Sequence, residues 1–333
     1  MLPAENKNFR EEKEMKVEKF NMREVSKYTS RYGIFITLIV LVTVCSFVSS
    51  KFLTASNALN VLRQTSVYCL IALAEGIVII SGGIDLAAGS TMALAGIASI
   101  PVCVATDSIF LGVLTAVGVG ILCSGISGAI TAFLDMPAFV VTLAMQMAIR
   151  GFIMVRTLGV TVAKTGGKFK ILGQGFIGGV IPTAILVMLL AVIAADILLR
   201  YTRIGRNLFA LGGNREAAFA SGINIRLYTI IAYVISGIFA GLAGYMYMSR
   251  INSGVPSGAE GYESNGISAA VIGGVAFTGG SGSAWGIMIG AMILCIITNI
   301  LNLMGVDGNA QKIVNGAIII FAVAVDMQTK RRR

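Results

Sequence analysis

Few residues in this 333-residue chain have the means to do chemistry, and none is a histidine. That absence removes imidazole acid–base catalysis and imidazole metal ligation. The five cysteines, Cys45, Cys69, Cys103, Cys123 and Cys295, lie in apolar runs without metal-ligand or redox-pair spacing, so they read as packing residues. No catalytic triad or pair of carboxylates in a polar pocket is visible, so an enzyme is a poor fit. No Gly-x-x-x-x-Gly-Lys-Ser/Thr phosphate loop is present either, so no ATP or other cofactor is expected in this chain, and any energy must come from a partner. Two acids embedded in apolar sequence remain, Glu75 and Asp85, together with one charged, glycine-punctuated island at residues 202–223.

Asp85 follows two glycines in Ile80-Ser-Gly-Gly-Ile-Asp-Leu-Ala-Ala-Gly-Ser90. An ionised aspartate in lipid costs about 2.5–3.5 kcal/mol on insertion scales, so this one must face protein, water or a helix N-terminus. Either it caps a helix starting at Leu86, or it lines or gates a polar route together with Gly82, Gly83 and Ser90. Glu75, inside the preceding apolar run, reads as a polar residue bonded to a neighbouring helix or as part of the same route.

In the island, Gly205, Gly212 and Gly213 permit tight turns, and Asn214 is placed to cap a short helix Arg215-Glu-Ala-Ala-Phe-Ala-Ser221 that stops at Gly222. Small alanines allow another protein to approach, Phe219 can enter a pocket, and Arg215 and Glu216 can pair across an interface. The competing reading is a solvated loop whose arginines only enforce topology. Composition does not separate the two.

The surrounding chain is 56% hydrophobic and 13% charged, with a mean hydropathy of +0.84. Apolar runs near 33–50, 58–80, 86–105, 109–134, 138–156, 180–200, 227–249, 265–281, 285–304 and 310–327 suggest an all-α polytopic membrane protein with ten spans. The segments around 80–86 and 281–285 are candidates for broken or re-entrant helices. A charged tail at 1–32, a membrane domain at 33–328 and a basic end at 329–333 complete the domain organisation, and the tail lacks the pattern of a cleaved signal peptide. Of 26 Lys and Arg, 17 fall on the tail, the island loop from Arg200 to Arg226 and the C-terminus, which places both termini and the island in the cytoplasm. The net charge of +10 is mostly this topology signal, and no nucleic-acid partner is expected. Val78-Ile-Ile-Ser-Gly-Gly83 matches Val275-Ala-Phe-Thr-Gly-Gly280 at a shift of 197 residues, implying two related halves with a substrate route at their interface. That repeat adds Phe277, Gly279 and Gly280 to the route candidates. Gly237-x-x-x-Gly241 and Gly286-x-x-x-Gly290 are read as helix packing within one subunit.

Ser81-Gly-Gly-Ile-Asp-Leu-Ala-Ala-Gly-Ser90 resembles the Gly-Gly-Ile-Asp-Leu-Ser-Val-Gly-Ser signature of bacterial ABC importer permeases for ribose, galactose and related monosaccharides. Pro137-Ala-Phe-Val-Val-Thr-Leu143 with Arg150-Gly151, Gly273-Gly-Val-Ala-Phe-Thr-Gly-Gly280 with Gly286 and Gly290, and the island itself match that family in order and spacing from about residue 33 onward. The resemblance implies a dimeric, ten-span permease of the bacterial inner membrane that pairs with a second copy or a sister permease. It also implies ATPase subunits that bind ATP and Mg, an extracytoplasmic sugar-binding protein, and a monosaccharide cargo. Carried over, the ATPase-coupling residues are Gly205, Arg206, Gly212, Gly213, Asn214, Glu216, Ala217, Ala218, Ser221 and Gly222, while Arg215 and Phe219 occupy positions that vary in the family. The sequence separates neither ribose from galactose nor homodimer from heterodimer.

Overall fold

Short polar residues start six of the helices, four of them long and apolar. The hydroxyl of Thr54 accepts from Asn57 N, Ser108 from Leu111 N, Asn224 from Leu227 N and Ser283 from Gly286 N, so the first free N–H groups of four long helices are satisfied by side chains. In a computed structural model that describes residues 33–163 and 165–331, the helices are α1 (Gly33–Val48), α2 (Ala55–Ile80), α3 (Ala88–Thr106), α4 (Ile109–Phe133), α5 (Ala138–Thr157), α6 (Ile171–Gln174), α7 (Thr183–Tyr201), α8 (Arg203–Gly213), α9 (Arg215–Ala220), α10 (Ile225–Ile251), α11 (Tyr262–Ile272), α12 (Ala284–Leu303) and α13 (Gly308–Arg331). A two-residue hairpin, β1 (Phe176–Ile177) with β2 (Ile181–Pro182), precedes α7. The expected tail at 1–32 and the last two residues of the expected basic end lie outside the described residues.

Among the described residues, α2, α3, α4, α5, α7, α10 and α12 are long and apolar enough to cross a membrane, and α1 is a shorter apolar helix. The protein is an all-α polytopic membrane protein. One expected span needs correction: at 265–281 the helix is only α11, whose eleven residues rise about 16 Å, half of a hydrocarbon core. Residues 273–283 after it are not helical, because Gly274 and Gly279 take φ of +88° and Gly280 takes +74°, which breaks the ladder. The break at 81–87 likewise separates α2 from α3.

Burial is sorted by depth in the bundle. Every residue of α2 from Thr65 to Ile80 is buried, so this helix is the axis around which the others pack. By contrast α4, α5 and α7 leave Phe110, Phe133, Met147, Val155 and Leu190 exposed, an outer apolar surface suited to lipid. Contact between helices runs through small residues. A Cβ on Gly237 would lie 2.6 Å from Gly120 C, Gly241 faces the carbonyl of Ala116, and Gly290 faces that of Ala269. Both Gly-x-x-x-Gly pairs thus pack within the subunit, as expected from the sequence. All five cysteines are free and buried.

These crossings generate a stability prediction. Gly237→Val pushes a side chain into α4 and is expected to cost roughly 1–3 kcal/mol, read as a lower thermal midpoint of the detergent-purified protein. Gly118→Val, on the same α4 but with nothing within 4 Å of its Cβ position, is expected to stay within about 0.5 kcal/mol.

Candidate functional site

The island folds as two helices. The Thr202 hydroxyl accepts from Gly205 N at 3.1 Å and starts α8; Asn214 Oδ1 accepts from Ala217 N at 2.9 Å and starts α9. Helix α9 ends at Ala220, with Gly222 at φ +79° and Ile223 N donating to Ala218 O at 3.1 Å, the bond pattern of a glycine-terminated helix. The helix expected from Arg215 is therefore present, with the Ser221 hydroxyl donating back to Ala217 O. Ala218 is its one buried residue, while Glu216, Ala217 and Phe219 are exposed, Phe219 to 72%. Arg206 is exposed on α8, and Arg215 pairs at 3.6 Å with Asp135 on the α4–α5 turn.

Tight turns at Gly205, Gly212 and Gly213 do not occur: all three lie inside α8. Their reason is proximity. A Cβ on Gly205 would strike the carbonyls of Leu198 and Leu199, and one on Gly212 would strike Ile80 O and come within 2.8 Å of Gly280 N. The last turn of α8 thereby rests against both glycine breaks of the bundle at once. Gly279 has room for no Cβ between Gly212 Cα at 3.0 Å and Gly82 Cα at 3.1 Å, and a Cβ on Gly280 would be 2.6 Å from Gly213 Cα.

The two breaks themselves match. Gly82 N donates to Ile79 O at 2.9 Å and Gly279 N donates to Ala276 O at 2.8 Å, the same turn at the 197-residue shift, with φ of +85° and +88°. They are joined directly, since Gly280 N donates to Ile80 O at 2.9 Å. The structure thus brings Gly82, Gly279 and Gly280 together with Gly212 and Gly213. Gly83 faces inward toward Val78 and Tyr233, and Phe277 packs against the main core. The repeat is imperfect, because α11 stops at Ile272 whereas α2 continues to Ile80, the counterpart of Phe277.

Asp85 does not cap a helix beginning at Leu86. Helix α3 begins at Ala88 without a side-chain cap, and Asp85 Oδ1 accepts from Ala87 N at 3.0 Å within the turn before it. The Ser236 hydroxyl approaches its other oxygen at 3.5 Å, and Tyr233 Oη donates to Ile84 O at 2.9 Å, so two side chains of α10 hold the 81–87 segment. Asp85, Glu75 and Ser90 have no exposed surface. The bond expected from Glu75 to a neighbouring helix is not formed; neither of its oxygens, nor the Ser90 hydroxyl, has a hydrogen-bond partner among the described residues. Instead, Glu75 lies against Gly266, where a Cβ would be 2.8 Å from its Cγ.

Sequence reasoning missed Asp135 and Glu263. Glu263 is buried and accepts from Gln146 Nε2 at 3.2 Å and from Gly261 N at 3.3 Å. An acid between two apolar runs was the available signal for both. Two hollows adjoin the island. A cavity of about 640 Å³ is walled by the 81–83 turn, the α4–α5 turn and residues 211–215, and an open groove of about 860 Å³ runs from Asp135 along α9 to Arg226. No group of metal-ligating side chains occurs among the described residues. What this arrangement offers is mechanical: an exposed helix pair whose displacement bears directly on the two points where the bundle's helices are broken.

A family model described as branched-chain amino acid transport system / permease component matches residues 57–323. The ribose import permease protein of Escherichia coli (strain K12) is 38% identical over 295 residues, 87% of this chain and 92% of its own length. The galactose/methyl galactoside import permease protein of the same strain is 33% identical over 324 residues, 92% and 96% of the two chains. Its D-allose transport system permease protein is 32% identical over 302 residues, 90% and 92%. No solved structure matches the chain. With the family model covering most of the membrane domain and the relatives nearly end to end, this chain belongs to the branched-chain amino acid transport system / permease component family, as a transport component and not an enzyme.

Proposed function

We propose that this chain is the inner-membrane permease subunit of an ATP-driven importer of monosaccharides, and that α8 and α9 are where the ATPase subunits dock. The observation that carries this reading is the backbone contact of α8 with both glycine breaks, beside an exposed α9 that presents Glu216 and Phe219. An exposed phenylalanine on a short polar helix suits insertion into another protein's cleft. The family description names amino acids, but the relatives named above are sugar permeases, and they support a sugar cargo. Ribose, whose permease is the most similar of the three, is the first sugar to test.

In this reading two copies, or one copy and a sister permease, enclose the route, and an extracytoplasmic binding protein delivers the sugar. ATP and Mg reside in the ATPase subunits. Their closure displaces α8–α9, and the displacement passes through Gly212 and Gly213 to the 80–83 and 279–280 turns, switching the bundle between outward- and inward-facing states. Chain direction fits this orientation. The described helices alternate so that α1 starts and α13 ends at the end of the bundle that carries α8 and α9, the end rich in Lys and Arg.

Purification of the tagged chain from native membranes in mild detergent is expected to retain an ATPase; a clean chain that still transports sugar without one would refute the reading. Glu216→Lys reverses the exposed charge of α9 without touching the bundle. It is expected to leave insertion intact and lower sugar-stimulated ATP hydrolysis at least tenfold, the effect of losing about 1.4 kcal/mol of docking free energy. Gly280→Ala places a methyl group against Gly213. It is expected to preserve ATPase retention on the column while uncoupling hydrolysis from uptake, measured as ATP consumed per sugar imported.

A further inference from the structure

We infer that the 640 Å³ cavity beneath the Ser81-Gly-Gly turn is a cytosol-facing subsite for a neutral monosaccharide, the last position held by the sugar before release. The inference rests on the import reading above and adds a place and a ligand chemistry to it. The volume lies within the range of about 300–1,000 Å³ typical of small-molecule sites. Its walls are polar in a particular way. The Ser81 hydroxyl donates to Val78 O at 2.7 Å, Thr131 to Ser127 O at 2.8 Å, and Tyr233 to Ile84 O at 2.9 Å. Each of these protons is committed to a protein carbonyl, so each oxygen has only lone pairs left to offer a ligand.

Asp135 adds a carboxylate that accepts hydrogen bonds, and its charge is balanced by Arg215 at 3.6 Å on the same cavity wall. Arg215 is the one cation on the wall, and Asp135 already balances its charge, so an added phosphate would leave the cavity with net negative charge. With Asn214 and Arg215 on the same wall supplying N–H donors, the cavity offers both acceptors and donors at balanced charge, which is complementary to an uncharged molecule whose hydroxyls both donate and accept, as a monosaccharide's do. The placement suits release. The cavity is bounded by Gly212, Gly213 and Asn214 on one side and by Gly82 and Gly83 on the other, the same segments whose contact couples the island to the bundle. Any displacement of α8 therefore reshapes it.

Met136 lines the cavity, is 38% exposed and makes none of these bonds, and the native cysteines are buried. A Met136→Cys reporter in inside-out membrane vesicles carrying the complete importer is labelled with a membrane-impermeant maleimide, with D-ribose, D-allose, D-galactose or ribose 5-phosphate added. At least one of the three sugars is expected to slow labelling several-fold and the phosphate is not. Thr131→Val in the reporter background removes one acceptor, so about three- to tenfold more sugar is expected for the same protection. Equal labelling with and without all three sugars, or equal protection by the phosphate, overturns the subsite. So does protection that follows the ATPase alone, which assigns the cavity to docking. ATP-dependent uptake measured in the parent cells separates the two levels: uptake with no protection rejects the subsite and leaves the importer standing, whereas uptake that survives loss of the ATPase rejects the importer reading and the subsite with it.

Discussion

One steric constraint organises this end of the molecule: there is no space for a β-carbon between α8 and the carbonyl of Ile80. A helix lying on the surface of a membrane bundle ordinarily touches it through side chains, which flex and absorb displacement. Here the touch is backbone to backbone at Gly212, Gly213, Gly82, Gly279 and Gly280, and backbone contacts have little compliance. The same point also joins the two glycine turns by the bond from Gly280 N to Ile80 O. Three segments distant in sequence behave as one joint because none carries a side chain that would hold them apart.

The rest of the bundle follows the logic of a protein dissolved in lipid. Between helices there is no hydrophobic gain from hiding apolar surface, so close packing has to supply the adhesion. The chain responds with glycine and alanine at the α4–α10 and α11–α12 crossings and places its bulky side chains outward on α4, α5 and α7. The axial helix α2 is the exception that needs no outer face. Its polar residues Thr65, Ser66 and Glu75 are enclosed by protein on every side. Arg63 and Arg150 illustrate how charge is tolerated, each donating to backbone carbonyls far away in sequence, that of Gln174 at the end of α6 for the first and those of Pro256 and Gly258 for the second.

Much of this was legible in the residues. Long apolar runs fixed nine helices near their expected places, and Asn214 with Gly222 marked the limits of α9 because capping is a local matter of side-chain reach and φ. The expected break near residue 80 was legible for the same reason. Three features were not. Gly212 and Gly213 looked like turn residues, since a glycine required by a neighbour and a glycine required by φ are the same letter. The span at 265–281 looked continuous, since hydropathy does not register that Gly273 and Gly274 end a helix. Asp85 looked like a cap, since the two residues between it and α3 depend on how α10 grips the turn through Tyr233 and Ser236.

The joint at Gly212 also bears on how such subunits can be rebuilt. Helices α8 and α9 invite treatment as a detachable module, to be exchanged when a permease is to be driven by a foreign ATPase. Their inner surface, however, is fitted to two turns elsewhere in the chain at separations that leave no tolerance for a methyl group. A graft confined to residues 202–223 would carry the plug without its socket. The transferable unit is discontinuous: the island, the 80–83 turn and the 279–280 turn have to be moved together.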